Sequence, residues 1–179
     1  VVEAYNSLGT FLLKEGNRAD AEMAYRTGAE NGFALCSYNL AEMLADDPKR
    51  WNDAEQSYRD AIAAGASGSQ LRLGVRLSEQ PGKELVAAAE LEKAIDAGEI
   101  DADGFLRLGT VLMRMPGGGE SAGAALRNAM NAGDREAINR LGILIANLPG
   151  REAQAEVSLT TATVVAPQVA HRNLGVLLA

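Results

Sequence analysis

The sequence predicts an all-α fold, a right-handed α-solenoid of antiparallel helix pairs with about five and a half repeats of ~33 residues. Three observations predict it. A Leu-small pair with an aliphatic residue behind it recurs along the whole chain. A small-rich segment closed by glycine recurs with the same period. The composition, 47% hydrophobic but only 4% aromatic with 5 prolines, suits close helix-on-helix contact better than many short strands and turns.

The first marker reads Leu8-Gly9 with Leu12, Leu40-Ala41 with Leu44, Leu73-Gly74 with Leu77, Leu108-Gly109 with Leu112, Leu141-Gly142 with Ile145, and Leu174-Gly175 with Leu178. The leading leucines are 32, 33, 35, 33 and 33 residues apart. The second marker ends at Gly32, Gly65, Gly98, Gly133 and, degraded, at Ala166. Seven residues before each stands Tyr25, Tyr58, Leu91, Leu126 or Leu159, and eleven before stands Ala21, Ala54, Ala87, Ala122 or Ala155. Four before stands another small residue, Gly28, Ala61, Ala94, Ala129 or Ala162.

Offsets of three, four and seven share one face of a helix with 3.6 residues per turn. Each period therefore holds a helix A centred on the Leu-small pair and a helix B carrying the Ala, Tyr/Leu, small stripe. The closing glycine suits a left-handed helix end. Breakers divide A from B at Gly16-Asn17, Asp47-Pro48, Pro81-Gly82, Pro116 to Gly119 and Pro149-Gly150. Glycine inside helix A costs up to about 1 kcal/mol of helix propensity, so its recurrence implies close contact with a neighbouring helix. A single pair cannot bury its stripe alone, and stacking supplies the core. The expected repeats are 2–34, 35–67, 68–102, 103–135, 136–168 and a partial 169–179, within one domain. Gly98 to Leu108 takes 10 residues where the other junctions take 8, which places a two-residue insertion in 99–104, a bend or a surface bulge.

The pattern resembles tetratricopeptide (TPR) repeats, and more closely their Sel1-like relatives. Tyr5, Leu8, Gly9, Leu12, Ala21, Tyr25 and Gly28 carry the resemblance in the first unit. Phe105, Leu108, Gly109, Leu112, Ala125, Leu126 and Ala129 read similarly in the fourth, where Ala122 holds the aligned alanine position. Lys93 to Gly98 and Asn128 to Gly133 have the Sel1-like helix B ending. The A–B loops are shorter than is usual for Sel1-like repeats, and the proline common after a TPR helix B is absent. The resemblance implies a solenoid whose concave groove, lined by helix A, holds partner proteins or peptides.

Composition narrows the function. The formal charge of −7, from 24 acidic and 17 basic residues, argues against nucleic acid, whose binding rests on neutralising phosphates. One cysteine, Cys36, and one histidine, His171, supply neither a disulfide nor a zinc set, and they lie too many repeats apart to act as a nucleophile and base. Cys36 reads as a small buried thiol and His171 as a packing or end-surface residue. The longest uncharged apolar run, 141–148, is too short for a membrane span. The chain begins at Val1 and stops in an apolar segment, which reads as a fragment of a longer protein. Its compartment is left open between cytoplasm and periplasm.

Other candidates for chemistry have simpler readings. Gly117-Gly118-Gly119 lacks the Lys-Ser/Thr of a phosphate loop and reads as an A–B turn. Asp46-Asp47 and Asp101/Asp103 lack the ligand count of a calcium loop. Trp51 staples its loop to the stack or anchors a partner. No cofactor, metal or catalytic residue is expected.

The resemblance places the residues two before and two after each leading leucine on the concave side. The candidate partner-binding residues are Tyr38, Glu42, Leu71, Val75, Leu106, Thr110, Met113, Asn139 and Ile143. Adjacent repeats do not present the Lys, Arg and Asn set that grips a C-terminal carboxylate, so an apolar helix or extended segment is the expected occupant. The alternative is that neighbouring repeats cover some of these residues. The leading expectation is a bacterial-looking, non-enzymatic scaffold or adaptor that binds a protein partner. Two others stand beside it: an accessory repeat domain of a larger enzyme or regulator, and a purely structural solenoid that dimerises through residues 172–179.

Overall fold

The computed structural model describes residues 2–147 together with Ser158 and Thr160. Regular structure among the described residues is helical. Apart from Ser158 and Thr160, the expected fifth helix B lies outside those residues, as do the sixth helix A with Leu174-Gly175 and Leu178, His171 and the dimerisation segment 172–179. The chain divides into two compact units, residues 1–73 and 74–179.

The first unit holds α1 (Val2–Lys14), α2 (Arg18–Glu30), α3 (Ala34–Ala45), a 3-10 turn (Pro48–Arg50) and α4 (Trp51–Ala63). The division falls within α5 (Ser69–Ser78). The second unit continues with α6 (Glu84–Asp96), α7 (Ala102–Arg114), α8 (Gly119–Asn131) and α9 (Glu136–Ala146). In the first unit α1 packs on α2, α2 on α3 and α3 on α4, with α1 also touching α3. In the second, α6 packs on α7, α7 on α8 and α8 on α9, with α7 touching α9. Thus α1 and α7 each meet their own helix B and the next helix A.

The helix B stripe forms the core. Ala21, Ala54, Ala87 and Ala122 are fully buried, as are Tyr58, Leu91 and Leu126, and Tyr25 nearly so. Burying each large side chain contributes roughly 1.5–3 kcal/mol. The helix A glycines receive these side chains. A Cβ on Gly9 would overlap the Tyr25 ring, and one on Gly74 or Gly109 would lie 2.7 Å from Cγ of Leu91 or Leu126. Gly28 of α2 makes the corresponding approach to Cys36 of α3.

The two helix B markers are joined by a hydrogen bond. Gly32, Gly65, Gly98 and Gly133 have φ of 78, 79, 69 and 96°. The left-handed turn lets the next N–H reach back to the small residue four before the glycine. Phe33, Ala66, Glu99 and Asp134 donate to the carbonyls of Gly28, Ala61, Ala94 and Ala129 at 3.0, 2.9, 2.8 and 2.9 Å. This 6→1 closure satisfies carbonyls that the helix end would leave orphaned.

Two irregularities are local. The segment of the expected insertion, 99–104, runs into the first turn of α7, where the Asp101 carboxylate caps the helix by accepting from the Gly104 N–H at 2.8 Å. Among the leading leucines Leu40, Leu73 and Leu108 are buried, but Leu8 is 47% exposed and Leu141 half-buried. Leu40 and Leu108 belong to helices packed against a preceding helix B; no described helix covers that face of α1.

Candidate binding surface

In the first unit the helix A face is polar and closed by charge. The Tyr58 hydroxyl, rising from α4, donates to the Glu42 carboxylate. Arg72 clasps the same carboxylate from α5, Nε to Oε1 at 3.0 Å and Nη2 to Oε2 at 2.6 Å. Tyr38 stacks edge-on against Tyr58 with ring centroids 6.4 Å apart. The hydrogen bond to Glu42 holds the Arg72 guanidinium well above the usual arginine range. One repeat earlier, Tyr25 and Thr10 share a hydroxyl–hydroxyl bond of 3.0 Å. In both repeats where helix B supplies a tyrosine, the residue two after the leading leucine hydrogen-bonds its hydroxyl. In the repeats that carry Leu91 and Leu126 it is Val75, or Thr110 with its hydroxyl turned back to the Leu106 carbonyl at 2.8 Å.

In the second unit the corresponding face opens into a cleft of about 230 Å³, lined by residues of α7 and α9 together with Ser78. Leu106, Thr110 and Val111 line it together with the charged Asp103, Arg107, Arg114, Glu136 and Arg140. Arg107 pairs with Asp103 at 3.3 Å and reaches Glu79 at 3.2 Å. Arg140 pairs with Glu136 at 2.8 Å. Arg114, the exposed last residue of α7, has no ion pair among the described residues.

The nine candidate residues are not equivalent. Leu71, Val75, Leu106 and Asn139 are buried. Tyr38, Glu42, Thr110, Met113 and Ile143 are half-buried and keep surface to offer. Sequence reasoning missed the arginines. Arg72, Arg107 and Arg140 each stand immediately before a leading leucine, in three consecutive repeats, one position from the positions inspected. That repetition was the available signal.

The remaining candidates take structural roles. Trp51 is 8% exposed at the start of α4, which fits a staple and leaves little surface for a partner. Cys36 is buried, and burial pushes its thiol above the usual range. Asp47 caps the 3-10 turn, and Asp46 pairs with Arg18 at 3.9 Å. A second hollow, of about 350 Å³, lies in the first unit and is lined by residues of α2, α3 and α4, Asp53 and Asp60 among them. Among the described residues no group of three His, Cys, Asp or Glu could hold a metal ion, and no helix is long and apolar enough to cross a membrane.

No family profile and no curated protein matches the sequence. Solved structures do match. The MamA protein aligns at a TM-score of 0.77 with 20% identity, over 91% of this chain and 90% of that one. A protective antigen present in uropathogenic Escherichia coli, displaying an SLR fold, aligns at 0.70 with 23% identity over 98% of this chain, which spans 40% of the antigen. A Sel1 repeat protein from Oxalobacter formigenes aligns at 0.63 with 19% identity, over 98% of this chain and 77% of that one. The chain has the Sel1-like, TPR-like α-solenoid fold of helix pairs.

Proposed function

We propose that this chain is a non-enzymatic interaction scaffold that holds a segment of a partner protein against its helix A faces. The observation that carries the reading is the open cleft of the second unit, where α7 and α9 leave space beside half-buried Thr110 instead of closing it with an ion pair. A rigid helical frame, a partly apolar floor and a charged rim are what a peptide segment needs for affinity and register. In the second unit half-buried Thr110, Met113 and Ile143 supply contact surface on α7 and α9, and in the first unit half-buried Tyr38 and Glu42 supply theirs on α3.

Site-specific photo-crosslinking in extract of the source organism tests this. A photoreactive residue at Thr110 is compared with one at Glu92, exposed on α6. A discrete partner adduct enriched about tenfold at Thr110 is expected, since specific segments engage one face. Equal adducts at both positions would overturn the assignment.

A further inference from the structure

We propose that the cleft between α7 and α9 receives a single carboxylate, a Glu or Asp side chain of the partner segment, on Arg114 and Arg140. The proposal rests on the scaffold reading above and names the chemistry of the occupant.

The argument begins from a pattern of ion pairs. An arginine immediately before the leading leucine reaches an acid supplied one repeat earlier, from two different positions: Glu42 stands two after Leu40 and Glu79 six after Leu73. In the first unit Arg72 takes Glu42, and in the second Arg107 takes Glu79 at 3.2 Å. The position six after Leu108 is Arg114. Where the next arginine, Arg140, would look for an acid, the chain offers a second guanidinium. Arg140 turns instead to Glu136 on its own helix, with both Nε and Nη2 on the same oxygen at 3.0 and 2.8 Å.

The charge balance selects the ligand. Three arginines and two carboxylates line the cleft. Arg107 pairs with Asp103 and with Glu79, and Arg140 with Glu136, so that Arg114 is the lining arginine with no ion pair among the described residues. One uncompensated guanidinium beside space and a partly apolar wall suits one carboxylate on an aliphatic stem, and an arginine fork binds a carboxylate bidentately. A polyanion fits poorly, because Asp103 and Glu136 would face it and the chain carries a net charge of −7.

The test titrates the full chain with the blocked peptide Ac-Ala-Leu-Glu-Ala-Leu-NH2 and with its Gln counterpart, reading arginine side-chain Nε–H signals by NMR. The Glu peptide is expected to shift Arg114 and Arg140 and to bind at least about fivefold more tightly than the Gln peptide, as a charge-assisted pair does. Arg114→Glu restores the acid of the previous repeat and should abolish peptide binding while Arg107 keeps its signal. Arg114→Gln, which removes the charge without adding a partner, should lose binding likewise. Equal affinity for the two peptides, or undiminished binding by either variant, would overturn the inference. So would inorganic phosphate shifting the same two arginines at lower concentration than the peptide. Thr110 adducts that persist at full yield in Arg114→Glu would remove the carboxylate and leave the scaffold standing, whereas loss of the Thr110 preference over Glu92 in the parent chain removes the scaffold itself.

Discussion

Gly109 and Leu126 share one volume: a Cβ on the glycine would sit 2.7 Å from Cγ of the leucine, which is fully buried. Helix propensity favours alanine over glycine by about 1 kcal/mol, and overlap with a packed core side chain costs about 1–3 kcal/mol. Gly109→Ala is therefore expected to destabilise the chain by about 1 kcal/mol in urea unfolding. Leu126→Ala alone should cost about 2–5 kcal/mol, and the double variant less than the sum of the two. A Gly109→Ala variant more stable than the parent would refute the packing role.

Gly65 needs glycine for a different reason. Its φ is 79° and nothing stands within 4 Å of where a Cβ would be. Gly65→Ala should cost roughly 1–2 kcal/mol of backbone strain, with no rescue from trimming any neighbour. Comparing its coupling to Tyr58→Phe with that of Gly109 to Leu126 separates strain from crowding.

Glu22 predicts a pH dependence. The bidentate bond from Arg50, at 2.6 and 2.8 Å, holds its carboxyl at about 2 against an ordinary 4.5. A depressed carboxylate contributes stability that is present above its ordinary value and lost as pH falls from about 4.5 through about 2. Melting temperature should decline over that window more steeply in the parent than in Glu22→Gln. Parallel profiles for the two proteins would show that the pair adds nothing.

The tyrosine hydroxyls of helix B should differ in worth. Tyr58 donates to a carboxylate that Arg72 also holds, whereas Tyr25 meets only the neutral Thr10 hydroxyl at 3.0 Å. Hydrogen bonds to charged groups are worth about 1.5–3 kcal/mol and neutral ones about 0.5–1.5. Tyr58→Phe should therefore lower unfolding free energy more than Tyr25→Phe, and the reverse order would discount the cluster.

Cys36 should resist thiol reagents in the folded chain. It is 1% exposed with its thiol raised by burial, and only thiolate reacts. Labelling by a maleimide is expected to be slow in buffer and complete in denaturant. Rapid labelling under native conditions would mean that α3 separates from α2 far more often than its burial implies.

The sequence by itself determined the helix pairs, their period, their closing glycines and their core stripe. Ala54, Tyr58, Ala61 and Gly65 declare one helix face and one helix end, and three further copies, at Gly32, Gly98 and Gly133, repeat it among the described residues. These are short-range demands, since a turn of helix and a left-handed cap are decided by residues within five positions of each other. Only the tertiary structure decided which of these residues remain available to a partner. Leu8 and Leu40 share a position in the repeat, yet one is 47% exposed and the other 4%, because exposure depends on which helix lies alongside. Leu106 and Thr110, read together as groove, divide into buried support and half-buried surface. Arg107 and Arg140 are equivalent in sequence and line one cleft with Arg114; only their packing shows that the first finds Glu79 and that the second turns to Glu136 on its own helix. The charge pairing belongs to neighbours 28 and 30 residues away, Glu79 with Arg107 and Glu42 with Arg72, and those contacts exist only once the helices are packed.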